Sequence, residues 1–349
     1  MQIVKRVNPN VSPIMDDIDR LYCQLSEEEK TIPFVAQRYD SSFQMVVGTF
    51  LECSGYTWTI EFEEREYAQL QPIENNNLIL NFSGGKDSVA SALKYKEEGY
   101  NVYLYHMRHI NPALSDEWEK AKKLADMLGL PIYFDDIHFS GHHMWMEHPM
   151  KNMLIANGAL SYGIREGIGT RVAFGNYTTS YLEDNAFDRC AGDCMDMWEA
   201  YEEIIHRVLP EFTIEANLEN MGDTLNILVD HRDLLENTLS CLCRHSLRDY
   251  RHNWVKEKYG IELFPYRCGS CYKCCVEYIY MADHDKFPFS AEYYKYCLGQ
   301  LYRVARAEKI RVRGVADIWN NFIFYPMEKS RLYYEMTRTK LLSDKIKWQ

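Results

Sequence analysis

The stretch LNFSGGKDSVASAL, residues 80–93, constrains this chain more than any other. It is an apolar run that breaks into two glycines and a lysine before a helical pattern resumes. A strand that turns through glycines into a helix brings backbone N–H groups close to a ligand, because glycine has no Cβ to hold the ligand off. The helix behind it adds an N-terminal partial positive charge and N–H groups without intrahelical partners, and both favour an anion. Ser83 and Ser88 add hydroxyl donors, Gly84 and Gly85 the close approach, and Lys86 a point charge. Such a set suits a phosphate. It matches neither the Walker spacing, in which four residues precede G-K-[ST], nor the G-x-G-x-x-G dinucleotide pattern.

The surrounding sequence alternates short apolar strands with helices. NLILNF reads as a buried strand and 86–97 as a helix; NVYLYHM is a strand, and 114–128 an amphipathic helix with Ser115 as N-cap and Gly129 as its stop. PIYFDDI, a helix over 150–166, RVAFG and a helix over 194–208 continue the pattern. This order implies an α/β fold with a doubly wound parallel sheet. Residues 1–75 read as an N-terminal accessory region, small and β-rich. Its runs FQMVVGTFLEC and YTWTIEFEE suggest a small sheet or hairpin, and ENNN at 74–77 a turn-like boundary. Residues 76–283 hold the glycine loop and the clustered cysteines, and 284–349 read as a basic, tyrosine-rich helical extension.

The net charge of −12 over 349 residues weighs against a surface that tracks a long polyanion, so nucleic acid is not the expected partner. The charge is unevenly spread. Residues 1–75 hold 6 basic and 13 acidic side chains, residues 284–349 13 basic and 7 acidic. A solvated helical face is the simpler reading of the basic end. No apolar run is long enough to span a membrane, and MQIVKRVNPN lacks the apolar core of a signal peptide, so the expected location is the cytoplasm.

Six of the eleven cysteines, Cys241, Cys243, Cys268, Cys271, Cys274 and Cys275, fall within 35 residues. Cys268, Cys271 and Cys274 have C-x₂-C-x₂-C spacing, which lets successive thiolates converge on one ion, with Cys241 or Cys243 as a fourth ligand. A closed four-thiolate zinc site fits best, and it would be structural; an iron–sulfur cluster uses the same ligands. Cys275 reads as a bystander, and Cys23, Cys53 and Cys297 as small buried hydrophobes.

The hexapeptide Ser83–Ser88 resembles the SGGxDS loop of the ATP pyrophosphatase, or PP-loop, superfamily. That resemblance implies ATP and Mg²⁺ at the loop, adenylation of a substrate oxygen with release of pyrophosphate, and displacement of AMP by a nucleophile. Lys86, Asp87 and Ser88 would then carry the chemistry, with Asp87 orienting the loop or the Mg²⁺. The loop followed by Thr238-Leu239-Ser240-Cys241 and Cys268-Gly269-Ser270-Cys271-Tyr272-Lys273-Cys274 resembles the 7-cyano-7-deazaguanine synthase (QueC-like) family, over roughly residues 77–280. Its T-x-S-C segment makes Cys241 the better fourth zinc ligand. The same likeness places Asn152 near ATP or substrate and Asn176 and Asp193 near a deazapurine; Tyr181, in an unusual stretch where the substrate loop should be, is placed to stack on that base.

By that resemblance the reaction is adenylation of the carboxylate of 7-carboxy-7-deazaguanine, followed by attack of an amine to form an amide. Several features depart from the family: the acidic front, the basic tail, Lys86 within the loop, the long gap from Cys241 to Cys268, and the segment GHHMWMEHPM. His142, His143 and His148 with Glu147 suit a surface loop better than a second metal. QueC-like proteins with such flanks occur in antiphage defence systems, which implies a partner protein as amine acceptor, docking on an extension. Ammonia as acceptor, a tRNA-modifying PP-loop enzyme and an inactive zinc-binding module are the alternatives, and a homodimer is compatible with each.

Overall fold

A computed structural model describes residues 4–7, 9–19, 34–39, 58–62, 66–109, 115–139, 151–175, 195–218, 221–239, 241 and 245–300. The chain divides into two compact units. One comprises residues 1–83 and 91–217, the other 84–90 and 218–349.

In the first unit the described elements are β1 (Val4–Arg6), α1 (13–19), β2 (Phe34–Tyr39), β3 (Trp58–Phe62) and β4 (Asn77–Asn81). Next come α2 (Lys86–Glu97, whose first residues belong to the second unit), β5 (Asn101–His109), α3 (Ser115–Leu128) and β6 (Ile132–Phe139). The unit closes with α4 (Lys151–Arg165), β7 (Val172–Phe174), α5 (Met195–Ile205) and β8 (Ile214–Glu215). Six strands form one sheet in the order β1-β6-β5-β4-β7-β8. All its pairings are parallel except β1 with β6, where Val4 faces Phe139 and Arg6 faces Ile137. The alternation of strands and helices thus yields the doubly wound sheet expected of it.

β4 explains the arrangement. Leu78, Ile79 and Leu80 are all fully buried, as befits a strand covered on both faces. From β4 the chain runs outward to β5 and β6, then returns to the other side of β4 as β7. The order therefore reverses between β4 and β7, and sheets of this kind bind ligands beyond the carboxyl ends of the strands at such a reversal. The glycine loop leaves β4 at that end.

Residues 4–19, grouped by composition with a separate accessory region, are built into this unit. β1 extends the sheet, and Ile14, Met15 and Ile18 of α1 are buried in its core. An ion network ties them down. Arg6 donates to Asp19 (2.6 Å) and Asp135 (2.7 Å), to the Tyr105 hydroxyl (3.1 Å) and to the Leu154 carbonyl. Asn157 donates to Asp19 (3.1 Å) and accepts from the Tyr201 hydroxyl (2.9 Å). A Cβ at Gly158 would run into the Tyr105 hydroxyl and the Arg6 guanidinium, so glycine is what lets α4 lie this close. Of the two runs read as a small front sheet or hairpin, YTWTIEFEE supplies β3. β2 and β3 pair in parallel as a separate two-stranded sheet, where a hairpin would be antiparallel, and FQMVVGTFLEC lies outside the described residues.

The second unit contains α6 (Met221–Leu228), α7 (Arg232–Asn237), α8 (His245–Tyr259), α9 (Tyr272–Asp283) and α10 (291–300). The boundary expected at 283 falls inside it. Tyr293, Tyr294 and Cys297 of α10 are buried, and the Tyr293 hydroxyl donates to the Gly269 carbonyl at 2.7 Å.

Replacing Arg6 leaves Asp19 and Asp135 as uncompensated buried charges. Arg6→Met is expected to lower stability by about 3–5 kcal/mol in urea unfolding of the full chain. A loss under about 1 kcal/mol would show that the network contributes little.

Candidate functional site

Where the chain leaves the sheet, both sides of β4 are clamped. Phe82 donates its N–H to the Tyr105 carbonyl (2.8 Å), and its own carbonyl lies 2.7 Å from His106 Nδ1. A carbonyl only accepts, so His106 carries a proton on Nδ1. On the other side, Asn81 Nδ2 donates to the Ala173 carbonyl of β7 at 3.1 Å.

The loop itself continues in the second unit. Gly84 has φ +74°, left-handed backbone that a side chain would disfavour. Its carbonyl accepts the Leu239 N–H at 2.9 Å. The helix then begins at once, with the Val89 N–H donating to the Gly85 carbonyl (3.1 Å) and the Ser88 hydroxyl donating to the same oxygen (3.0 Å). Ser88 therefore uses its proton within the loop in this structure.

Lys86, the first residue of α2, is buried with 2% of its side chain exposed, and its ammonium donates to Asp87 Oδ1 at 3.3 Å. Thr224 of α6, fully buried, donates its hydroxyl to that same oxygen at 3.1 Å. Asp87 is thus oriented from behind while 30% of its side chain stays exposed. A buried cation at a helix N-terminus opposes both the macrodipole and its own desolvation. An arriving anion relieves both.

The four sulfurs of Cys241, Cys268, Cys271 and Cys274 lie within 4.8 Å of one another. Cys271 caps α9 and Cys274 stands one turn on, so their thiols share a helix face, 3.4 Å apart. Gly269, at φ +68°, makes the preceding turn. A Cβ there would crowd Leu263, Tyr293 and Val255. Cys268 Sγ accepts the N–H groups of Ser270 (3.3 Å) and Cys271 (3.2 Å) and lies 4.0 Å from Cys274 Sγ. Hydrogen bonds from Cys241, Cys271 and Cys274 pull the Cys268 thiol pKa down, while Cys271 and Cys274 are pushed up, first through Cys241. The donor set fits a metal ion or an iron–sulfur group. Cys275 stands apart, buried, with its sulfur 3.9 Å from the Gly269 carbonyl, and Cys297 is also buried.

Sequence reading missed the residue that joins these parts. Arg267, with 2% of its side chain exposed, donates to the Thr238 carbonyl (2.7 Å), the Thr238 hydroxyl (2.8 Å), the Leu235 carbonyl (3.1 Å) and Glu277 Oε1 (2.7 Å). Burial opposes its charge, but Glu277 and the nearby thiols carry its pKa above the ordinary value. An arginine beside the first cysteine of a C-x₂-C gives no hint of this role, nor does Thr224 of its tie to Asp87.

Asn152 lies in the first turn of α4, half-buried, in the first unit. Asn176, Tyr181, Asp193, Cys243 and the cluster His142, His143, Glu147 and His148 lie outside the described residues.

No family model matches the chain. It is 42% identical to the tRNA-specific 2-thiouridylase MnmA of Sulfurimonas denitrificans over 65 residues, which cover 18% of this chain and 19% of that protein. The likeness thus spans about a fifth of the relative's length. Among solved structures it is similar to the U34-tRNA thiolase NcsA of Methanococcus maripaludis with its [4Fe-4S] cluster, at TM-score 0.30 and 18% identity over 54% of this chain and 69% of that one. A predicted subunit of a tRNA methyltransferase from Methanocaldococcus jannaschii gives TM-score 0.25 and 17% identity over 48% and 93%. No helix among the described residues is long and apolar enough to cross a membrane.

Metal analysis of the purified full chain is expected to find metal that Cys274→Ala abolishes and Cys275→Ala leaves in place. Equal loss in both variants would show that the cluster is not the ligand set.

Proposed function

We propose that this chain is an ATP-dependent enzyme that adenylates a substrate oxygen and releases pyrophosphate, and that the oxygen belongs to a nucleobase carbonyl of tRNA. The observation that carries the first part is the glycine loop, with buried Lys86 at the start of α2 and Asp87 held by Thr224. A carbonyl oxygen is a poor leaving group. Once its oxygen attacks the α-phosphorus of ATP, the bond to pyrophosphate breaks, and a nucleophile at the carbon then expels AMP. The 65-residue likeness to a 2-thiouridylase supports tRNA as the carrier of that carbonyl.

In this reading the loop N–H groups and Lys86 stabilise charge on the departing pyrophosphate, a matter of fixed donors placed where charge grows. Asp87 would hold Mg²⁺ through its exposed side. That ion neutralises the phosphates when bound. In this reading the cysteine site would hold zinc: four thiolates about 2.3 Å from one ion would stand about 3.8 Å apart, and the sulfur separations of 3.4 Å (Cys271–Cys274) and 4.0 Å (Cys268–Cys274) support one ion over a four-iron cluster, in which each thiolate takes its own iron. The overall charge of −12 confines RNA contact to locally basic segments such as 284–349.

A second reading has its own support. The gathering of Cys241 with Cys268, Cys271 and Cys274 supports the QueC-like reading, whose resemblance runs through Cys241. There the substrate is the carboxylate of 7-carboxy-7-deazaguanine, and the nucleophile is an amine, ammonia or one on a partner protein.

ATP–pyrophosphate exchange with unmodified tRNA and with 7-carboxy-7-deazaguanine, run in parallel, separates the two. Exchange that depends on tRNA is expected, and Asp87→Ala is expected to lower it about 100-fold or more. Exchange with the deazaguanine alone would favour the second reading. Exchange with neither would overturn both.

A further inference from the structure

The segment Thr238–Cys241 is fastened at three points within the second unit. Cys241 enters the thiol cluster, Thr238 is gripped by Arg267 through its carbonyl and hydroxyl, and the Leu239 N–H meets the Gly84 carbonyl at 2.9 Å. Arg267 in turn is anchored on Glu277 of α9, the helix that carries Cys274. The recipient is a weakly determined peptide. Gly84, at φ +74°, is followed by a second glycine, and glycine reorients at little steric cost, so the sequence of the loop does not itself fix this plane. A trans peptide is planar, with its carbonyl and N–H on opposite edges. The hydrogen bond that holds the Gly84 carbonyl towards Leu239 therefore turns the Gly85 N–H the other way.

We propose that the cysteine site is a positioning device for the phosphate loop. A metal bound by Cys241, Cys268, Cys271 and Cys274, together with Arg267, fixes Leu239 and through it the Gly84–Gly85 peptide. Metal occupancy thereby sets the affinity of the loop for the pyrophosphate part of ATP. This rests on the reading of the loop as an ATP site. Arg267 and Leu239 are positioning residues here, acting through the backbone of Gly84.

The test compares the full chain as purified, stripped by a chelator, and reloaded with Zn²⁺. Inorganic pyrophosphate and adenosine are titrated separately by calorimetry in the presence of Mg²⁺, with circular dichroism reporting the fold. Stripping is expected to weaken pyrophosphate binding about tenfold or more, reloading to restore it, and adenosine binding to stay unchanged. Equal pyrophosphate affinity with and without metal overturns the inference, and so does parallel loss of both ligands in a protein that stays folded.

Where stripping unfolds the protein, Arg267→Lys carries the test. Lysine keeps a cation beside Glu277 but cannot reach Thr238 and Leu235 together. This variant is expected to retain its metal and bind pyrophosphate more weakly. Wild-type metal content with wild-type pyrophosphate affinity overturns the proposal. If the metal-replete wild type binds neither ATP nor pyrophosphate, the reading of the loop has failed, and the inference fails with it.

Discussion

The parallel pairing of β4 with β5 on one side and β7 on the other is the constraint on which the first unit depends. It demands apolar residues on both faces of one short strand, which Leu78, Ile79 and Leu80 supply. It also leaves the carboxyl end of β4 at the reversal of strand order, where backbone N–H groups and a helix start can face a ligand.

The buried charges show how a front segment becomes part of such a sheet. Arg6 meets two carboxylates, a tyrosine hydroxyl and a backbone carbonyl, so its cost of desolvation is offset by hydrogen bonds on each side. Composition could not reveal this. An acidic, irregular stretch looks detachable until one arginine is seen to join β1 to α1 and β6. Arg267 is the parallel case in the second unit, where a single guanidinium holds the segment that leads to Cys241.

What could be read from the sequence followed local periodicity and spacing. The helix 86–97 and the C-x₂-C-x₂-C turn rest on residues near one another in the chain, where period and steric rules act directly, and the parallel strands on their regular alternation with helices. Contacts across long separations were not legible. Thr224 reaches Asp87 from 137 positions away, and no pattern around Thr224 marks it. The parallel β2–β3 pair was invisible for a related reason, since alternation signals a strand but not the direction of its partner. Composition likewise does not show which tyrosines beyond 283 are buried, as Tyr293 and Tyr294 of α10 are.

The second unit is discontinuous, with residues 84–90 set among helices that begin after 217. A ribosome delivers the glycine loop early and its fixtures late. The Gly84 carbonyl waits for Leu239, and Asp87 for Thr224, while the intervening strands and helices of the first unit are made. A nascent chain that has completed its parallel sheet still lacks the donors that hold its glycine loop. The glycine loop therefore gains these hydrogen bonds only after Thr224 and Leu239 have been made.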